Sequence, residues 1–342
     1  GCGDFEDIDE LLPGYYAIYD QDGLRAHRYF QLSAAPHTDS YEDTVKKVRE
    51  LLMDTVQRQL AADVPLCTFL SGGLDSSVVT AIAATLLKER GETLSTYSFE
   101  FEGNEEFFTP SSFQPDRDQD WALRVSAELS TNHQTLLCGN EDLAASLYEA
   151  VIAKDLPGMA DIDGSLLQFC KKVKERHVVA LCGECADEIF GGYPWFHRRE
   201  MFDGSAFPWS NNLDDRCALL RPELLEQLDM REYVAARLQE TLDATPTLPG
   251  ETVEQRRQRQ ISYLNMRWFM ATLLDRKDRC SMYSGLEVRV PYCDHRIAQY
   301  MYNVPWEFKA PGGEPKGLLR DAAAGLLPQE IIRRKKSPYP KT

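Results

Sequence analysis

The hydrophobic and polar positions of this chain follow two periodicities that alternate along its first 190 residues. Short apolar runs bounded by turn residues predict strands, and apolar residues at spacings of three and four predict helices. Helix 76–90 ends with Gly91 well placed to close it. Each predicted strand is followed by a helix, which is typical of an open, mainly parallel, doubly wound α/β sheet. The predicted strands are 65–70, 94–101, 134–138 and 177–183, and the predicted helices are 41–62, 76–90, 116–130, 141–154 and one ending at Glu175.

The two flanks of this region have different patterns. Residues 13–30 alternate around Asp22-Gly23, which predicts a β-hairpin, and residues 31–40 have the composition of a linker. Beyond about Tyr193 the strand signal fades, and helical spacing predicts an all-helical lobe. We therefore divide the chain into an amino-terminal segment with a hairpin (1–35), an α/β part (36–195) and a C-terminal helical lobe (196–342).

Composition narrows the class of protein. The 342 residues include 54 acidic and 38 basic side chains, a net charge of −16, which argues against a nucleic-acid-coating protein. No apolar run approaches the ~18 residues of a membrane-spanning helix, and the N-terminal residues do not resemble a signal peptide. Nine scattered cysteines do not indicate a disulfide framework. We expect a cytoplasmic protein with reduced, mostly buried thiols.

The segment LCTFLSGGLDSS (66–77) carries the strongest chemical signal. A strand enters Ser71-Gly72-Gly73 and leaves as a helix, so glycines and exposed amides are available to an anion. Asp75 would repel a bare phosphate unless a divalent cation lies between them, so the loop predicts magnesium pyrophosphate. It lacks the Gly-Lys-Ser/Thr of a Walker A loop and the third glycine of a Rossmann fingerprint. An ordinary capped Gly-Gly turn is the alternative.

A second acidic group, Glu184, Asp187 and Glu188, follows the strand that ends at Gly183. Because ligands bind outside the carboxyl ends of such strands, this group should face the phosphate loop. The carboxylates suit a metal or acid–base site, or, for Glu188 above all, they complement a helix dipole. Cys182 and Cys185 also spell C-x-x-C. We interpret them as small buried residues beside a ligand, because no second pair exists to complete a zinc site.

Four motifs in order carry a resemblance to a known family: SGGLDSS (71–77), CGECADEIFGGY (182–193), RKDRCSMYSGLEVRVPYCDH (276–295) and KGLLR (316–320). Together they resemble the ATP-pyrophosphatase-type synthetase domain of glutamine-hydrolysing asparagine synthetases. The resemblance covers about residues 13–342 and implies that the segment 1–35, with its hairpin, is of the interdomain type. It implies an adenine nucleotide alpha hydrolase-like fold, with ATP and Mg²⁺ as ligands.

The resemblance also implies roles for individual residues. Asp75 and Asp187 match magnesium ligands, Lys316 matches a catalytic lysine, and Glu184 matches a residue implicated in amide formation. Glu287 matches a carboxylate near the acyl-accepting site. Taken alone, Lys316 would be a surface lysine and DRKDR (275–279) a solvated helix face. Residues 285–291 predict an extended segment in which Glu287 and Arg289 point to the same face and form a structural salt bridge. The ATP-binding residues implied are Leu70, Ser71, Gly72, Gly73, Asp75, Ser76, Phe101, Cys182 and Gly183.

The implied reaction is ATP-dependent amidation of L-aspartate through a β-aspartyl-AMP intermediate, with release of AMP and pyrophosphate. About seventy residues precede the phosphate loop, too few for the family's glutaminase domain, so Cys2-Gly3 is not its nucleophile. We expect ammonia free or from a glutaminase domain or subunit, and we expect an excised core of a longer enzyme. A homodimer is left open, and no nucleic-acid or membrane partner is expected.

Three other functions remain open at this point. β-Lactam-forming synthetases and peptide macrocyclases share these motifs, but they tend to carry tyrosine where this chain has Glu184. An inactive nucleotide-binding fragment or subunit is a second alternative, against which Asp75, Asp187 and Lys316 argue. A tRNA-modifying enzyme with the same loop is a third, disfavoured by the net charge of −16.

Overall fold

The computed structural model describes residue 5 and residues 7–110, 116–210 and 212–336. Part of the predicted loop around Phe113 and Pro115 and the last six residues lie outside this description. The described strands are β1 Tyr15–Asp20, β2 Gly23–Arg28, β3 Leu66–Phe69, β4 Ser95–Phe101, β5 Asn132–Cys138, β6 Val179–Leu181 and β7 Glu287–Arg289.

Helices account for most of the remaining regular structure. Within the described ranges the α-helices are α1 Tyr41–Gln59, α2 Leu74–Glu89, α3 Asn104–Phe107, α4 Asp118–Leu129, α5 Asn140–Lys154, α6 Asp161–Lys174, α7 Ala186–Phe190, α8 Pro194–His197, α9 Leu213–Cys217, α10 Pro222–Leu228, α11 Met230–Asp243, α12 Val253–Leu264, α13 Met270–Tyr283, α14 His295–Asn303, α15 Trp306–Lys309, α16 Gly317–Ala322 and α17 Gln329–Ile332. A π-helical turn, Asn265–Phe269, joins α12 to α13.

The central sheet has five parallel strands in the order β5-β4-β3-β6-β7. The chain moves outward from β3 through β4 to β5 and then returns to the other side of β3 as β6. The order therefore reverses between β3 and β6, and such a switch point opens a crevice at the carboxyl ends of the strands. Residues Leu70–Ser77 leave β3 at this crevice, and Cys182–Asp187 leave β6 there.

Helices cover both faces of the sheet, as predicted. Alternate residues of β3 and β6 point to opposite sides: Cys67, Phe69 and Ala180 join a core with α6, whereas Leu181 joins a core with α1 and α2. Helix α2 is buried around most of its circumference, which explains its uniformly apolar sequence. It ends at Gly91 (φ +76°) in a Schellman motif, with Glu92 N–H donating to Leu87 O at 2.9 Å.

The hairpin is confirmed, since β1 and β2 pair antiparallel with Asp20 opposite Gly23. Nearly all of its side chains are exposed. The following linker is extended and lies against α14, where the backbone N–H groups of Ser33 and Ala35 donate to Gln299 and Asn303 at 2.9 and 2.7 Å.

The expectation of an all-helical lobe is wrong in one respect. Strand β7, inside that region, pairs with β6 and forms an edge of the sheet. The extended conformation predicted for residues 285–291 is confirmed, but three residues of alternating pattern do not indicate that the segment pairs with the central sheet. The lobe therefore contributes a strand to the sheet as well as helices.

The described cysteines are free thiols, as predicted, and all but Cys293 are buried.

No helix in the described part of the chain combines the length and apolar character needed to cross a membrane.

Candidate active site

The phosphate loop folds as a sharp turn between β3 and α2. Gly72 has φ +71°, and a Cβ there would lie 2.5 Å from both the Trp121 Cβ and the Ala122 nitrogen, so glycine is required. The Ser71 and Ser76 hydroxyls lie 3.0 Å apart, and the Ser76 hydroxyl donates to Gly73 O at 3.2 Å. These contacts keep the loop in shape and leave α2 with its amino end at the crevice.

The loop after β6 packs directly on this turn. A Cβ at Gly183 would lie 2.5 Å from the Ser76 nitrogen and 2.9 Å from its Cα, so only glycine allows the approach. The approach is what brings the acidic group after β6 against the phosphate loop. The same close packing recurs at Gly192, where a Cβ would collide with the Asp187 carboxylate.

Four side chains meet at this junction and form what we call the aspartate–lysine cluster: Asp75, Asp187, Lys316 and Lys336. The Lys316 ammonium lies 2.7 and 2.8 Å from the two carboxylate oxygens of Asp75 and 2.9 Å from Asp187 Oδ1. Lys336 Nζ lies 2.9 Å from Asp187 Oδ2. Two carboxylates within 3 Å of one nitrogen are close enough to share a single cation.

Charge and burial set the protonation of this cluster. Burial acts to raise the pKa of Asp187, but Lys316 and Lys336 outweigh it and lower that pKa to about 2. Burial raises the pKa of Asp75 against the opposing effect of Lys316. The pKa of Lys316 is raised because the two carboxylates outweigh its burial, so its ammonium stays charged.

Lys316 reaches the cluster from an unusual backbone position. It precedes α16 with φ +57°, a conformation that lysine adopts at a cost, and its side chain is only 4% exposed. Gly317 packs against Pro311, where a Cβ would lie 2.5 Å from the proline Cδ. The interpretation of Lys316 as a surface lysine is therefore wrong, and the motif KGLLR points its lysine inward.

A layer of aromatic and acidic groups lies behind the cluster. The Tyr193 hydroxyl donates to Glu188 Oε1 at 2.6 Å, and Lys336 Nζ lies 3.9 Å from the centre of the Tyr193 ring. Glu188 is buried, and burial together with Asp187 raises its pKa to about 7. Two members of the predicted carboxylate group therefore differ in charge: Asp187 is ionised, whereas Glu188 has a pKa near neutrality.

A second group of charges, the Glu184 cluster, consists of Glu184, Arg276 and Lys277. Glu184 Oε1 lies 3.2 Å from Lys277 Nζ and 3.4 Å from Arg276 Nη2. Both cations come from α13, and both are buried. The solvated face expected for residues 275–279 therefore holds only for the exposed members, Asp275 and Asp278.

Sequence reasoning missed four of these cations: Lys336, Arg334, Arg276 and Lys277. Arg334 donates to Ser71 O at 3.4 Å and pairs with Asp118, so the basic segment near the carboxyl end of the chain holds the phosphate loop. The four consecutive basic residues 333–336 were the sequence signal that could have pointed to a cationic contribution to the site. Nothing in the sequence alone said which of them turn inward.

Other predicted site residues lie as follows. Leu70 and Cys182 are buried at the carboxyl ends of β3 and β6. Phe101 lies at the end of β4, packed beside Phe99 with ring centres 4.9 Å apart, in a small core with Cys138 and Leu143. Its predicted contact with ATP stays a prediction.

Glu287 is the first residue of β7, and its predicted role near an acyl group stays a prediction. It pairs across the sheet with Val179, two residues before β6 ends, and its side chain is about half exposed. Its carboxylate lies 2.6 Å from Arg289 Nε, and Arg289 donates to the carbonyl of Ala61, just before β3. Glu287 therefore lies toward the amino end of the strands, and the salt bridge predicted between Glu287 and Arg289 is present.

Comparison with known proteins identifies the family. Residues 47–342 match the family model described as asparagine synthase. The chain belongs to the asparagine synthase family. It is 50% identical, over its whole length, to asparagine synthetase [glutamine-hydrolyzing] 3 of Bacillus subtilis, of which it covers 56%.

A more distant relative is covered to a similar extent. Asparagine synthetase [glutamine-hydrolyzing] 1 of Bacillus subtilis is 28% identical over 97% of this chain, which covers 55% of that protein. The chain thus spans about half the length of these relatives. Among solved structures, NAD+ synthetase from Burkholderia pseudomallei matches 71% of this chain and 91% of its own with 15% identity and a TM-score of 0.28.

Proposed function

We propose that this chain forms L-asparagine from L-aspartate, ATP and ammonia through β-aspartyl-AMP, releasing pyrophosphate and then AMP. The observation that carries the proposal is the aspartate–lysine cluster, built where a phosphate loop meets the loop after β6 in an asparagine synthase chain. Two buried carboxylates and a charged lysine beside exposed helix amides suit a metal-bound polyphosphate.

The phosphate loop would receive the β- and γ-phosphates. The amino end of α2 supplies backbone N–H groups, and Ser71 and Ser76 supply hydroxyl donors. Gly183 keeps the opposite wall close without a side chain in the way. Arg334 stabilises the loop from behind through the Ser71 carbonyl.

Asp75 and Asp187 fit a magnesium ion. Among the described residues, no group of three or more His, Cys, Asp or Glu side chains could hold a metal without help. Mg²⁺ typically uses one or two carboxylates and completes its shell with phosphate oxygens and water, so this pair suffices when ATP is present. When bound, Mg²⁺ would neutralise phosphate charge, and Asp75 and Asp187 are the residues that would hold it.

Lys316 is the residue that we assign to the adenylation step. The β-carboxylate of aspartate attacks the α-phosphorus and pyrophosphate leaves, so negative charge develops on the oxygens around phosphorus. A lysine whose raised pKa keeps it charged, in a largely water-excluded position, stabilises that charge by direct hydrogen bonds. Its carboxylate partners hold it in place before the nucleotide binds.

Glu184 is assigned to the second step. Ammonia attacks the carbonyl carbon of the adenylate, AMP leaves, and a proton must be removed from the new nitrogen. Glu184 Oε2 is buried and makes no hydrogen bond to the described residues, so it is free to accept that proton. Burial of the site also limits hydrolysis of the adenylate by water.

The source of ammonia lies outside the described site. The relatives are named as glutamine-hydrolysing enzymes, and this chain spans about half of their length. We propose that ammonia normally comes from glutamine through a glutaminase domain or subunit, and that free ammonium replaces it in a test.

The deciding experiment incubates the chain with Mg²⁺, ATP, L-aspartate and ammonium, and measures pyrophosphate and asparagine together. We expect both products to depend on aspartate. Asp75→Asn keeps the size of the side chain but removes the charge, so pyrophosphate release should fall on the order of 100-fold. Bound ATP with no aspartate-dependent pyrophosphate would contradict the proposed reaction, and near-normal turnover of Asp75→Asn would contradict the metal assignment.

A further inference from the structure

The Glu184 cluster contains one more positive charge than negative charges. Arg276 and Lys277 are both only 7% exposed, and Glu184 is the carboxylate that they share. The pKa of Lys277 is raised, because Glu184 outweighs the effect of burial. Within the described residues, Glu184 is the carboxylate that pairs with these two side chains, so the three groups together carry a net charge of plus one.

The two cations also have unused donors. Arg276 Nε is buried without a hydrogen-bond partner among the described residues, and its Nη1 contacts only the Met159 sulfur, at 3.6 Å. Lys277 Nζ has its Glu184 contact and lies 5.4 Å from the centre of the Phe69 ring. Buried donors are normally paired, and an unpaired one costs free energy. A missing anion with oxygen acceptors would satisfy them.

The position of the cluster selects the kind of anion. Phe69 is the last residue of β3, so Lys277 lies at the same crevice as the phosphate loop, on the α6 and α13 side. The aspartate–lysine cluster already provides the charges that suit a polyphosphate. A polyphosphate at the Glu184 cluster would meet the Glu184 carboxylate and exceed the single spare charge. A carboxylate monoanion matches both the charge and the fork of Arg276.

We propose that Arg276 and Lys277 bind the carboxylate of the acyl substrate that does not react. The inference rests on the proposed function and adds to it the residues that select the substrate: one carboxylate of L-aspartate is adenylated, and these two side chains hold the other. The pair thereby selects aspartate over acids that lack the second carboxylate.

The test compares L-aspartate with β-alanine, which keeps the reacting carboxylate and the amino group but lacks the α-carboxylate. ATP–pyrophosphate exchange measures adenylation alone, so the ammonia step and Glu184's part in it do not enter. In Lys277→Gln we expect kcat/KM for aspartate to fall about tenfold to a hundredfold, since a charged hydrogen bond is lost. The much lower value for β-alanine should change little. Equal losses for the two acids, or no loss for aspartate, would overturn the inference.

Two controls make the result specific. Arg279→Gln removes a cation from the same helix that pairs at the surface with Asp155 and Asp275, and should leave both values unchanged. Retained ATP binding and an unchanged melting temperature show that Lys277→Gln is folded. If it is not, the same comparison is made with Arg276→Gln.

Calorimetric titration separates this inference from the proposed function. If the wild-type chain shows no aspartate-dependent exchange, the proposed reaction fails, and binding then decides the inference. Aspartate binding that weakens at least tenfold in Lys277→Gln, with β-alanine binding unaffected, supports carboxylate recognition by this pair. Equal aspartate affinities of variant and wild type, or no aspartate binding at all, overturn it.

Discussion

The two charge clusters of the crevice differ in balance, although they lie on neighbouring strand ends. The aspartate–lysine cluster has two carboxylates and two ammonium groups, whereas the Glu184 cluster has one carboxylate and two cations. The first is neutral as it stands, and the second carries a net positive charge.

This difference in net charge indicates which kind of ligand each cluster can bind. In the balanced cluster, a magnesium polyphosphate carries its own cation and can exchange partners with the lysines. In the positive cluster, an incoming carboxylate completes the charge count without displacing a residue. Buried charges are stable only when paired, so charge counting identifies ligands that the backbone alone does not.

The largest effect is expected from Lys316→Met, which unbalances the aspartate–lysine cluster. Losing a cation aimed at the developing charge should slow aspartate-dependent pyrophosphate release by about 10²- to 10³-fold. Initial rates at saturating ATP and aspartate measure it. Magnesium should not restore the rate, because the role that we assign to Lys316 is to donate hydrogen bonds to oxygens on the reacting phosphorus.

Lys309→Met is the matched control for that variant. Lys309 is equally buried, but it lies against the Trp306 ring and has no ion-pair partner in the described ranges, and burial lowers its pKa to about 7. Its removal should leave the rate unchanged. Comparable losses in the two variants would mean that any buried lysine matters for folding, and that the cluster has no special role.

Much of the fold could be predicted because its signals are local. The alternation of strand and helix from Pro65 to Gly183, the hairpin at Asp22-Gly23 and the helix end at Gly91 each depend on residues close in sequence. The extended segment that contains β7 was predicted, but its place in the sheet was not, because its pairing with β6 joins residues more than 100 positions apart.

The site residues show the same distinction between local signals and long-range contacts. Motifs identified Asp75, Asp187, Lys316 and Glu184, and the structure gathers all four at the crevice. The burial of Arg276 and Lys277 depends on how α13 packs against α6 and the sheet, which periodicity does not reveal in a run of five charges. The inward turn of Arg334 and Lys336 likewise depends on tertiary contacts with Asp118, Ser71 and Asp187.

A smaller effect, on the pH dependence of stability, is expected from Glu188→Gln. This variant tests whether the aspartate–lysine cluster has equal numbers of positive and negative charges. Glu188 adds a third negative charge once it ionises, and its folded pKa of about 7 lies above the ordinary glutamate value. A carboxyl group whose pKa is higher in the folded than in the unfolded protein disfavours folding when it ionises. Its contribution to the free energy of unfolding is therefore fully retained below the ordinary pKa of about 4.5 and is lost as pH rises through about 7. Wild-type melting temperature should therefore decline across this range by more than that of the variant, by on the order of a few degrees.

Melting curves at pH 5, 6, 7 and 8 measure the difference between the two proteins, so that groups titrating in both cancel. Glutamine keeps an oxygen acceptor for the Tyr193 hydroxyl, so the hydrogen bond is preserved while the charge is removed. Parallel curves for wild type and variant would show that Glu188 is already ionised at pH 5, and that the cluster is negative rather than balanced.

The smallest effect on activity is expected from Glu287→Gln, and this variant tests the charge balance of the Glu184 cluster. If Glu287 belonged to the acyl site, the Glu184 cluster would have two carboxylates for two cations, and no spare charge would remain for a substrate. The structure instead places this half-exposed carboxylate beside Arg289 at the amino end of β7, where an exposed pair contributes at most about 1 kcal/mol. Aspartate-dependent kcat/KM should therefore equal that of the wild type, and melting should shift little. A selective loss of aspartate over β-alanine would place Glu287 in the acyl site, and the charge difference between the two clusters would disappear.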